Sequence, residues 1–119
     1  MSKTTLTVYG IPNCDSVKKA RVWFTEHDVD HVFHDFKKQG VPAEAIDTWL
    51  QAVDWEVLVN RKGTTWRKLD ADTQARVVDA ASARALMLEH TSVIKRPVVV
   101  HGKTVIVGVN PEAWANVLG

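Results

Sequence analysis

Cys14 is the only cysteine among the 119 residues, and its surroundings suit a nucleophile. Leu6-Thr7-Val8-Tyr9 alternates like a strand, and Gly10-Ile11-Pro12-Asn13 then breaks the alternation. From Cys14 onward Val17, Ala20 and Phe24 recur at helical spacing. A cysteine that opens a helix meets the unpaired N–H groups of the first turn and the positive end of the helix dipole, and both favour a thiolate. Lys18, four residues on, lies one turn along the same side and adds to that field. Such settings lower a cysteine from about 8.5 to roughly 3.5–7.5, and the thiolate is the attacking species. The competing use of a lone cysteine is as a small buried hydrophobe. A place after a strand and a turn favours the reactive use.

One thiol cannot complete a disulfide cycle. The second position of a Cys-x-x-Cys relay is filled by Val17. The chemistry therefore calls for an outside thiol, and glutathione is the abundant candidate in a reducing compartment. Glutathione carries two carboxylates, so basic side chains near the cysteine are expected to hold it. Lys18, Arg61 and Arg96 are the candidates, with Asn13 beside the thiol. Taken singly, a solvated surface charge is the competing reading of each arginine, and it weighs more at Arg61 than at Arg96. Arg67, Arg76 and Arg84 carry no reading beyond that. Pro97 follows Arg96 at the entry to Val98-Val99-Val100-His101, a place where a cis Arg96–Pro97 bond is expected. His27, His31 and His34 are closely spaced, but a helix end and a strand direct them apart, so no metal site is expected. Of five tryptophans, Trp49 lies on an apolar helical stripe and reads as core, and Trp66 reads as a cleft residue.

The elements that must position these groups are legible in outline. After the first strand and helix, Val32–Phe36 reads as a second strand. Pro42 sits in the first turn of a helix with Ile46, Trp49, Leu50 and Val53 on one face, and Trp55–Val59 follows as a short helix. Lys62-Gly63-Thr64-Thr65 reads as a turn. Asp72 is expected to cap a helix through Val78, and Ser82 one through Glu89. Gly102-Lys103 joins Val98–His101 to Thr104–Val107 as a hairpin, and Asn110-Pro111 starts a last helix, Glu112 to Leu118. The order predicts an α/β fold: a mixed four-stranded sheet of thioredoxin-like plan, with a helical insertion between its βαβ and ββα halves.

Composition sets the frame. Fifteen basic and 14 acidic side chains leave a net charge of +1, so no nucleic-acid or membrane partner is expected. The start, Met1-Ser2-Lys3-Thr4-Thr5, has no apolar run behind it, and no stretch approaches the ~20 apolar residues of a membrane span. With one cysteine, the expectation is a single domain over residues 1–119, cytoplasmic, monomeric and without a bound cofactor.

Gly10-Ile11-Pro12-Asn13-Cys14-Asp15-Ser16-Val17-Lys18-Lys19-Ala20 resembles the opening motif of the ArsC/Spx/YffB family. Asn60-Arg61 with Gly63-Thr64-Thr65-Trp66-Arg67-Lys68-Leu69 resembles the middle of its YffB branch, and Ile94-Lys95-Arg96-Pro97-Val98 its third block. The resemblance implies a thioredoxin-like fold with a helical insert and a catalytic Cys14. It also implies arsenate-type anion binding by Arg61 and Arg96, and glutathione or glutaredoxin as electron source. Two departures narrow it. Arsenate reductases of the family use a third arginine after the final hairpin, where Thr104–Val109 has none and Lys103 is the nearest base. Spx regulators, which bind RNA polymerase without turnover, carry the Cys-x-x-Cys switch that Val17 removes. What remains is a glutathione-dependent thiol reductase, with an arsenate reductase and a Spx-like regulator as the alternatives.

Overall fold

The computed structural model describes residues 6–118. The N-terminal five residues, on which the expectation of no leader segment rests, lie outside the described residues. In chain order the elements are β1 (Leu6–Gly10), α1 (Asp15–Glu26), β2 (His31–Asp35), α2 (Phe36–Gln39), α3 (Ala43–Ala52), α4 (Trp55–Leu58), α5 (Thr64–Lys68), α6 (Ala71–Arg76), α7 (Ala80–Glu89), a 3-10 turn at Thr91–Val93, β3 (Val98–His101), β4 (Thr104–Val107) and α8 (Pro111–Leu118). They fall into two compact units. One runs up to Gly40 and resumes at Arg96; the other is Val41–Lys95.

The first unit is built on the mixed sheet that the element order predicts, in the order β2-β1-β3-β4. β1 pairs parallel with β2, and antiparallel with β3, whose hairpin partner is β4. Alternation sends Leu6 and Val8 to one face, level with Val99 and Ile106. There they meet Val17, Ala20 and Phe24 of α1 and Trp114 of α8 in one buried cluster. Each large apolar side chain buried there contributes roughly 1.5–3 kcal/mol. Asn110 opens α8 as its chemistry predicts: its Oδ1 accepts from the Ala113 N–H at 3.1 Å. β2 ends one residue before the strand expected from the sequence. Asp35 accepts from the Lys37 N–H at 2.8 Å and caps α2, so Phe36 turns into that helix.

The second unit is helical. α7 packs against α3 and α4, and Ile46, Trp49, Leu58, Leu86 and Met87 are buried. Four starts differ from the sequence reading. Thr64 and Thr65 are helical rather than part of a turn, with Gly63 as the cap residue of α5. Local preference is a weak guide there, and α5 is packed on the 3-10 turn. α6 is capped by Asp70, not Asp72: Asp70 accepts from the Thr73 N–H at 2.7 Å, and the helix stops at Arg76. α7 is capped by Asp79, with Ser82 as its reciprocal partner three residues in. Ser82 Oγ accepts from the Asp79 N–H at 3.1 Å while Asp79 Oδ1 accepts from the Ser82 N–H at 2.9 Å. A serine inside a capping box looks in sequence like the cap itself. Pro42 stands at the cap position of α3 rather than in its first turn. Among the described residues no helix is long and apolar enough to cross a membrane.

Candidate active site

Cys14 is the cap residue of α1, extended at φ −106° and ψ 123°, and its carbonyl accepts the Lys18 N–H at 2.9 Å. Its side chain makes no capping hydrogen bond, so the thiol is not spent on holding the helix. The thiol is unbridged and partly buried, and packs against the cluster beneath α1. Gly10 brings the helix this close. A Cβ at residue 10 would stand 2.5 Å from Val17 Cγ2, so only glycine lets the strand end pass under the first turn. Val17, where a relay would have its second cysteine, is fully buried. Asn13 and Lys18 are exposed on either side of the thiol.

Tyr9 pairs with Val98, so the register sets Arg96 and Pro97 just beyond the same end of β1 from which the chain runs to Cys14. The Arg96–Pro97 bond is cis, as its place in the chain predicts. Pro97 is buried, and its carbonyl accepts the Gly108 N–H at 2.8 Å, which ties the loop to the end of the hairpin. Arg96 Nε is buried and has no hydrogen-bond partner among the described residues. A buried donor of this kind costs about 1–3 kcal/mol unless something accepts from it, and more on a charged group. An anionic oxygen meets that need best.

Arg61 belongs to the other unit. It follows Asn60 in a turn where the Gly63 N–H donates to the Asn60 carbonyl at 3.1 Å and Asn60 Oδ1 accepts from the Lys62 N–H at 3.2 Å. Its Nη2 donates to Glu56 Oε2 at 3.0 Å, and the guanidinium lies over the Trp55 ring, 5.7 Å from its centroid. Sequence reasoning did not find Glu56. A partner five residues back across a helix end follows no helical spacing rule. Both side chains are about half exposed, 49% and 58%, so the pair contributes about 0–1 kcal/mol. Trp66, expected in a cleft, is partly buried on α5, where its carbonyl accepts from Gln74 Nε2 at 2.8 Å.

The three histidines go to separate backbone carbonyls: His27 to Trp23 at 2.7 Å, His31 to Val29 at 3.3 Å and His34 to Gly40 at 2.8 Å. Among the described residues no three histidine, cysteine or acidic side chains converge as metal ligands. Tyr9 lies against His34, ring centroids 4.8 Å apart, and burial pushes its phenol above the ordinary tyrosine value. No sequence signal marked it.

The model of the ArsC family matches residues 9–117, nearly the whole chain. The chain belongs to the ArsC family. An ArsC-family architecture also accounts for what the chain superposes on. The solved YffB protein aligns at a TM-score of 0.91 with 44% identity, over 97% of this chain and 100% of its own. An arsenate reductase related protein from Brucella melitensis aligns at 0.75 with 47% identity, over 98% and 96%. Among curated relatives, an uncharacterised protein of Haemophilus influenzae is 35% identical over 92% of this chain and 95% of its own length. The global transcriptional regulator Spx of Bacillus subtilis is 23% identical over 90% and 82%. The thioredoxin-like plan and the family expected from the three motifs are therefore both found.

Proposed function

We propose that this ArsC-family protein is a glutathione-linked thiol reductase acting in a reducing compartment, with Cys14 as nucleophile. The Cys14 thiolate attacks the glutathionyl sulfur of a mixed disulfide between glutathione and another thiol. A Cys14–glutathione bond forms, and the other half leaves as a thiolate. A second thiol, from glutathione or glutaredoxin, attacks that adduct, restores the Cys14 thiolate and carries the oxidation away. Arg96 and Lys18 hold carboxylates of the tripeptide, and Asn13 borders the thiol. The observation that carries this reading is the unpaired, buried Arg96 Nε at the end of the sheet where Cys14 opens α1. The family motif implies Arg61 as a further anion ligand, and Glu56 accepts from its guanidinium.

The test is the intact mass after incubation with oxidised glutathione. A gain of one glutathionyl group is expected, lost in Cys14→Ser and slowed in Arg96→Ala. No adduct at neutral or mildly alkaline pH would show an inert thiol. The similarity to Spx supports a second reading, a regulator that binds RNA polymerase without turnover. Near-stoichiometric recovery of polymerase from cell extract on the immobilised protein would favour it over the enzyme.

A further inference from the structure

Along α1, away from its buried face, an open groove of about 450 Å³ is lined by Lys18, Arg21, Val22, Thr25, Glu26 and His31. Carried back to its cap, the 100° turn per residue puts Cys14, Lys18, Arg21 and Thr25 on one stripe within roughly 60°. The groove thus starts one turn from the thiol. No ion pair among the described residues engages Lys18 or Arg21. Arg21 is nonetheless held in place, its guanidinium carbon 4.4 Å from the centroid of the Phe33 ring. Val22, more than half exposed, adds an apolar wall. A second cleft of about 480 Å³ shares Thr25 and His31 with the first and is lined by Asp28 and Asp30. The stripe therefore runs from basic, near the thiol, to acidic, at its far end.

We infer that this groove docks an extended segment of a protein substrate whose cysteine exchanges with Cys14, and that it reads the segment's charge order. Along the helix axis Lys18 lies roughly 6 Å from Cys14, Arg21 roughly 10 Å and Glu26, the last helical residue, roughly 18 Å, at 1.5 Å per residue, with Asp28 in the turn beyond it. An extended chain covers ~3.3 Å per residue, so the matching segment is acidic about two and three residues from its cysteine and basic about six residues away. Complementary charge of this kind raises association rates and selects among partners more than it raises bare affinity. The covalent part of the inference rests on the thiol-exchange reading of Cys14; the groove's charge preference does not.

The experiment uses two synthetic peptides, each with one cysteine activated as its thionitrobenzoate disulfide. One carries two glutamates and then a lysine at those distances; the other has the charges exchanged. Attack by Cys14 on the peptide sulfur forms the Cys14–peptide disulfide and releases coloured thionitrobenzoate. The acid-first peptide is expected to react about tenfold faster at low salt, with the advantage gone near about 1 M salt. Arg21→Glu is expected to cut that ratio at least about threefold while an uncharged glutamine peptide reacts as before. Equal rates for the two charged peptides, or a ratio unchanged in Arg21→Glu, would overturn the inference. If no peptide releases thionitrobenzoate, the reading of Cys14 fails, and serine versions of the peptides decide the groove by amide chemical shifts. Shifts at Arg21, Val22 and Thr25 with the acid-first peptide alone support it, and their absence refutes it.

Discussion

Arg96 brings a buried guanidinium nitrogen with no acceptor among the described residues to the strand end beside Cys14, and its worth is measurable. Arg96→Ala removes about one charge-assisted hydrogen bond, roughly 1.5–3 kcal/mol, so glutathionylation at low oxidised glutathione should slow by about tenfold or more. Arg96→Lys should not restore it, because an ammonium lacks the planar fork. A rate within twofold of wild type in either variant would remove Arg96 from the site. Tyr9 makes a second residue-level prediction. It is the only tyrosine, so phenolate absorbance reports it alone. Burial raises its pKa, so the stability this adds is complete below the ordinary tyrosine value of about 10 and is lost as pH rises through the higher folded value. The absorbance midpoint should therefore lie above that of the unfolded chain in urea. Coincident midpoints would mean the phenol is solvated.

Elements, rather than single residues, hold the thiol in place. The passage of β1 under α1 depends on Gly10, so Gly10→Ala must push Val17 or the whole first turn outward. Overpacking of this kind typically costs about 1–3 kcal/mol, and here it also displaces the cap. Urea denaturation should show the loss, and alkylation of Cys14 should change in the folded variant. An unchanged alkylation rate would separate the helix start from the thiol's behaviour. In the helical unit, the caps of α6 and α7 are charged. Hydrogen bonds from Thr73 hold Asp70 below the usual carboxylate range, and those from Ser82 do the same for Asp79. A depressed carboxylate contributes stability above its unfolded value of about 3.9, which is lost as pH falls through the folded value. Asp79→Ala should therefore lower the melting temperature near neutral pH, with the gap from wild type closing in acid. A gap independent of pH would assign the effect to something other than the ionised cap.

For the molecule as a whole, the cluster beneath α1 and α8 is a store of stability in the unit that carries Cys14. Phe24→Ala should cost about 3–5 kcal/mol in urea denaturation. A loss below about 1 kcal/mol would mean the cluster is loosely packed. Much of this unit was legible in the residues alone. The break at Gly10–Asn13, the helix that follows Cys14, the hairpin at Gly102-Lys103 and the cap at Asn110 are written in periodicity and turn chemistry, which act over a few residues. The misplaced caps of α6 and α7 fail at the same scale, because several oxygen-bearing side chains compete there for one role. Asp70 and Asp72, or Asp79 and Ser82, look alike until the backbone chooses. The family motifs named Cys14, Arg61 and Arg96 without stating their condition. Sequence by itself determined the thiol, the elements around it and the order in which they come. Only the tertiary structure decided that Arg96 keeps a donor unpaired among the described residues, that Glu56 occupies Arg61, and that Lys18 and Arg21 line a groove adjoining a second cleft with Asp28 and Asp30. Those facts depend on which side chains meet across strands, turns and neighbouring elements, and no local rule of spacing carries that information.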